Sequence, residues 1–110
     1  EHKSKENCYV EVKNVTLNDG DKALFPDAVS TRGQKHLKDL IQLKAEGFRA
    51  CMLYLINRSD VISFSPATDV DPEYARLLKE AKSAGVEILA YQTKISKKEI
   101  ILTDKIKVKI

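Results

Sequence analysis

The stretch Phe48-Arg49-Ala50-Cys51-Met52-Leu53-Tyr54-Leu55-Ile56 is nearly all apolar, and it sits between two segments of helical periodicity. A run this short and this apolar suits a strand covered on both faces, the mark of a central strand in a parallel sheet. Before it, Ser30 or Thr31 can cap a helix over Thr31–Glu46 whose stripe is Gly33, Leu37, Leu40 and Ile41, with Gly47 as the stop. After it, Asp71 caps a helix over Pro72–Ala84, with Pro72 at its first position and Glu73 in its first turn. Tyr74, Leu77, Leu78 and Ala81 give that helix its stripe, and Gly85 ends it. Val86–Tyr91 is a further apolar strand. Parallel strands need crossover helices between them. The order therefore predicts an α/β fold of three layers, a mixed central sheet flanked by helices.

The first strand is expected from Cys8 to Leu17. Val10 and Val12 recur at period two and are expected to enter the core, which places Glu11 and Lys13 together on the opposite face. Asn18-Asp19-Gly20-Asp21 reads as a turn, followed by a loop ending in Phe25-Pro26-Asp27, with Phe25 plugging the core beneath it. In the tail, Ile106, Val108 and Ile110 alternate with Lys105, Lys107 and Lys109, which predicts a small hairpin with a charged edge.

With 110 residues the chain suits one domain. Its 43% apolar and 32% charged content excludes a disordered chain, and no apolar run reaches membrane-spanning length. Cys8 and Cys51 lie in strand-like runs with no C-x-x-C pair, so they read as buried thiols of a reducing, cytoplasmic compartment. Net charge is +3 but unevenly spread. Residues 1–30 hold four lysines against six acids, and residues 91–110 hold six lysines against two. An acidic strand region beside a basic tail suits a site for metal and phosphate as well as an ordinary surface.

Glu11-Val12-Lys13 is the main candidate site. A carboxylate can hold a hard divalent cation through oxygen, and a neighbouring ammonium can neutralise charge on phosphate. On spacing alone, Glu-x-Lys is equally the wet face of an ordinary strand. Arg32, Lys35 and His36 fall in the first turns of the first helix, where the helix terminus already favours phosphate, and they too have a bland reading as a solvated face.

The strand Glu11–Leu17, Phe25-Pro26-Asp27-Ala28-Val29, Arg32-Gly33-Gln34-Lys35-His36-Leu37, Phe64-Ser65-Pro66-Ala67, Asp71-Pro72-Glu73-Tyr74-Ala75 and Gly85–Tyr91 follow one another. In this order they resemble the sugar fermentation stimulation protein A family. The resemblance implies a DNA-binding protein whose C-terminal domain has a restriction-endonuclease-like core, preceded by an OB-like barrel. It implies that Glu11 and the Val12 carbonyl, with an upstream Asp this chain lacks, hold Mg²⁺ or Mn²⁺, and that Lys13 holds water or the scissile phosphate. Asp27, in the Phe-Pro-Asp-Ala motif, can approach the metal or serve a turn. Lys13, Arg32, Lys35 and His36 would contact DNA or RNA. On this reading the chain is a single C-terminal nuclease-like domain, a fragment without the barrel and the first strands of the core. The expected function is DNA binding through phosphates. Its rivals are metal-dependent phosphodiester cleavage by the full-length protein and a regulatory module without chemistry.

Overall fold

The computed structural model describes residues 7–95 and 99–110. Ten elements follow in order: β1 (Cys8–Val15), β2 (Leu17–Asp19), β3 (Lys22–Phe25), α1 (Thr31–Ala45), β4 (Arg49–Ile56), β5 (Ser63–Pro66), α2 (Pro72–Ala84), β6 (Glu87–Ile95), β7 (Ile100–Lys105) and β8 (Lys107–Val108). They form a mixed α/β fold with two four-stranded sheets, ordered β1-β4-β6-β7 and β2-β3-β5-β8. The strands β1, β4 and β6 are parallel neighbours, as the crossovers require, and β7 returns antiparallel to β6.

Both helices form where their caps and stripes place them. The Ser30 hydroxyl accepts from the Gly33 amide at 2.9 Å and so starts α1. Asp71 accepts from the Tyr74 amide at 3.0 Å and starts α2, which has Pro72 in its first turn. Gly85 ends α2 at φ 99°, a left-handed conformation that disfavours side chains. The expected stripes are the buried faces: Gly33, Leu37 and Leu40 in α1, Tyr74, Leu77, Leu78 and Ala81 in α2. They meet Ala50, Met52, Tyr54 and Ile56 of β4 in one core that also takes in Ala23, Phe64 and Ile106. Phe25 packs there as expected, its ring 5.7 Å from that of Tyr54 and 5.4 Å from that of Tyr74.

Several expectations are corrected. The valines of β1 do not enter the core: Val10 is 50% and Val12 46% exposed, whereas Val15 of the opposite face is buried. Both faces of β1 carry apolar residues, Val10 and Val12 on one and Tyr9 and Val15 on the other, and the side to which α1 packs selects the inner one. The first strand stops at Val15, and Leu17 belongs to β2 in the second sheet. The stretch read as a loop before Phe25 is β3, antiparallel to β2 and parallel to β5. The tail is no hairpin: β7 completes the first sheet, and β8 pairs with β5 in the second. Lys107 and Lys109 remain exposed and line the outer edge of that sheet. Cys8 is exposed and only Cys51 is buried; both are free thiols.

Candidate phosphate site on the inner face of the first strand

Because β1 turns its Tyr9-Glu11-Lys13-Val15 face inward, Glu11 and Lys13 look towards α1 rather than into open solvent. His36, in the second turn of α1, meets them. The Lys13 Nζ lies 3.3 Å from Glu11 Oε2 and 2.8 Å from His36 Nδ1, and that ring nitrogen is 3.1 Å from the same carboxylate oxygen. Side-chain exposures of 32%, 15% and 20% for Glu11, Lys13 and His36 leave the group reachable yet partly shielded from water. That shielding strengthens each charge interaction relative to a fully exposed pair. Glu11 and His36 also line a cleft of about 170 Å³ with Tyr9, Asp39 and Leu40.

Of the other candidates, Arg32 and Lys35 stand on the solvent face of the first turns of α1. Lys35 pairs with Asp39 at 3.0 Å across one turn, an exposed contact worth a few tenths of a kcal/mol at most. No acidic residue occupies the first turn of α1, so Arg32 adds to the positive end of the helix unopposed from within that turn. The Val12 side chain faces away from Glu11, although its peptide lies between Glu11 and Lys13 in the strand. Asp27 is exposed and lines a separate small cleft with Asn14, Thr16, Leu24 and Phe25. Among the described residues no group of three or more His, Cys, Asp or Glu side chains could hold a metal ion. The carboxylates lining that cleft are Glu11, with the Val12 carbonyl adjacent in the strand, and Asp39, which is paired with Lys35.

A second layer behind the site has only a partial sequence signal. Asp71, 1% exposed, caps α2 and also receives the Ser30 amide at 2.9 Å and the Gln34 side-chain amide at 3.0 Å. One carboxylate therefore joins the starts of both helices. Burial pushes its pKa up, but the hydrogen bonds from Ser30, Tyr74, Gln34 and Glu73 together hold it below the usual value. The capping role is legible in Asp71-Pro72-Glu73; the Gln34 contact spans 37 residues and leaves no local trace. Next to it the Tyr54 and Tyr74 hydroxyls share a buried hydrogen bond of 2.6 Å. Burial pushes both phenols upward, and the Glu11 and Asp71 charges add to the effect at Tyr74, so neither ionises near neutral pH.

The fold and site define a class: a mixed α/β domain in which a Glu-x-Lys strand and a crossover helix bring a carboxylate, an ammonium and an imidazole into contact. Residues 1–99 match the family described as the sugar fermentation stimulation protein RE domain. The chain belongs to this family. It is 52% identical over 101 residues to the sugar fermentation stimulation protein homolog of Pelobacter propionicus, covering 92% of this chain and 44% of that one. It is 56% identical over 89 residues to the homolog of a Synechococcus species, covering 81% and 37%. Pyrococcus furiosus SfsA, solved in complex with Ca²⁺, superposes with a TM-score of 0.86 at 40% identity over 94% of this chain and 45% of that one. The chain spans under half the length of the relatives it matches.

Proposed function

We propose that this chain is a nucleic-acid-binding domain, the C-terminal nuclease-like part of a sugar fermentation stimulation protein, and that it contacts DNA phosphates at the Glu11–Lys13–His36 cluster. The observation that carries the reading is the convergence of Lys13 and His36 on one carboxylate beside a helix start. Lys13 supplies a partly buried cation for a phosphate oxygen. Arg32 and Lys35 extend the positive surface along α1, where backbone amides favour anions. RNA phosphates would engage the same groups. The parallel unit β1-α1-β4, with Glu-x-Lys on its first strand, is consistent with the three-layer restriction-endonuclease-like core that the sequence resemblance implies.

A metal-dependent phosphodiesterase is the second reading, for the full-length protein. A domain that only binds phosphate gains nothing from a carboxylate in the phosphate cleft, whereas a metal site needs one. The Ca²⁺ complex of the Pyrococcus furiosus relative supports a divalent cation in the family, and Mg²⁺ or Mn²⁺ would serve catalysis. The described residues alone do not complete such a site, since Asp27 stands in another cleft from Glu11. Fluorescence anisotropy with labelled duplex and single-stranded DNA tests the binding reading. Lys13→Ala should weaken binding and lower the slope of log affinity against log salt by about 0.9 on duplex. Binding indifferent to Lys13→Ala and to salt would remove the site.

A further inference from the structure

We propose that β1 is an edge for self-association: two copies of this chain pair antiparallel along it, about a two-fold axis at Val12. The proposal stands apart from the phosphate-site reading.

β1 is the outermost strand of the first sheet and, among the described residues, pairs with β4 alone. The amides and carbonyls on its other side form a row with no strand to meet them. Natural edges of this kind are blunted by brevity, proline or a bulge. β1 has eight residues, none of them Pro or Gly, and keeps an unbroken register with β4. α1 lies on the inner face, more over β4 than over β1. On the outer face Val10 and Val12 stand about half exposed, where a neighbouring strand would cover them.

The charges on the inner face select a second copy and set its register. In an antiparallel pair a hydrogen-bonded residue always faces another of the same kind. Two identical strands can therefore be centred on a residue but not between two. Two centres overlap most of β1. An axis at Glu11 sets that carboxylate against the partner's Glu11, like charges directly opposite and destabilising. An axis at Val12 sets Glu11 against the partner's Lys13, and Lys13 against the partner's Glu11, because a two-fold interface repeats each contact. Val12 then meets the partner's Val12, and Val10 the partner's Asn14. One step further, an axis at Lys13 opposes two ammoniums and leaves the start of β1 unpaired. Of the three, the Val12 register alone makes the charges complementary. It joins the two four-stranded sheets edge to edge and places both Glu11–Lys13–His36 clusters on one side of the joined sheet.

Analytical ultracentrifugation of the unsubstituted chain over a range of concentrations is the first test. A reversible dimer is expected; a chain that stays monomeric up to millimolar concentration overturns the proposal. Val12→Lys, on the exposed outer face, sets two ammoniums on the axis and should raise the dissociation constant about tenfold or more. Glu11→Lys and Lys13→Glu should each weaken the dimer alone, and mixing the two should restore a heterodimer, since opposite charges again face each other. A mixture no tighter than either variant overturns the register. Cross-linking decides the same point if a charge-reversed variant does not fold. Cys51 is buried, so Cys8→Ser removes the exposed thiol. On that background Val12→Cys should form an intermolecular disulfide on mild oxidation, and Val10→Cys should not, because Val10 faces the partner's Asn14. Equal cross-linking at both positions, or a dimer indifferent to Val12→Lys, places the contact elsewhere and overturns the proposal.

Discussion

Amides of Ser30, Glu73 and Tyr74 and the Gln34 side chain all donate to the Asp71 carboxylate, so the fold contains it ionised. Its folded-state pKa lies below the ordinary 3.8, so the unfolded chain takes up the proton more readily than the folded one. The stability it contributes is therefore complete above the unfolded value and is lost as pH falls through the folded value. Asp71→Asn should cost about 1–3 kcal/mol at pH 7 and flatten the loss of stability below about pH 4. Urea unfolding of both proteins at pH 7 and pH 3 measures the two effects; equal losses on acidification would contradict the assignment. The two thiols should differ as sharply. Burial pushes the Cys51 thiol up to about 11, while Cys8 is exposed at the start of β1. Iodoacetamide at pH 8 should modify Cys8 in the native protein and reach Cys51 only in denaturant, as peptide mass spectrometry would show.

Between elements, the first turn of α1 meets α2 at close range. A Cβ on Gly33 would lie 2.7 Å from the Ser30 hydroxyl oxygen and 3.1 Å from the Tyr74 ring. Alanine there gains up to about 1 kcal/mol of helix propensity. Against that, overpacking costs about 1–3 kcal/mol, and displacing the capping oxygen about 1 more. Gly33→Ala should therefore destabilise on balance, and a thermal melt with a raised midpoint would reverse the argument. The Tyr54–Tyr74 bond links β4 to α2 inside the core. Tyr74→Phe leaves the Tyr54 hydroxyl buried without that partner, an expected loss of about 1–3 kcal/mol in urea denaturation. Helices α1 and α2 were legible because caps and stripes are local signals. The short strands β2, β3 and β5 were not, because each has three or four residues and forms only by pairing with another segment.

For the whole molecule, Glu11 beside Lys13, with Asp39 of the same cleft already paired to Lys35, is too little negative charge to hold Mg²⁺, which gives up its water reluctantly. This chain should cleave no DNA with Mg²⁺ and should bind DNA weakly, with affinity falling steeply as salt rises. Glu11→Gln should leave that binding intact or tighten it, since it removes a negative charge facing phosphate. In the full-length protein, Glu11→Gln and Lys13→Ala should each abolish any metal-dependent cleavage; robust nicking of plasmid by this chain alone would overturn the site. The sequence by itself determined the helices, their caps and buried stripes, the parallel strands of the first sheet, and Glu11 and Lys13 as side chains sharing one face. Each follows from periods and caps spanning a few residues. Only the tertiary structure decided which face of β1 is inner, because the local alternation favours Val10 and Val12 whereas the packing of α1 buries the face of Tyr9 and Val15 with Glu11 and Lys13 between them. It also decided that His36 joins Glu11 across 25 positions of sequence, while Asp27, nearer in the chain, lines another cleft. Contacts of that kind depend on where a crossover helix lands, and no local pattern records it.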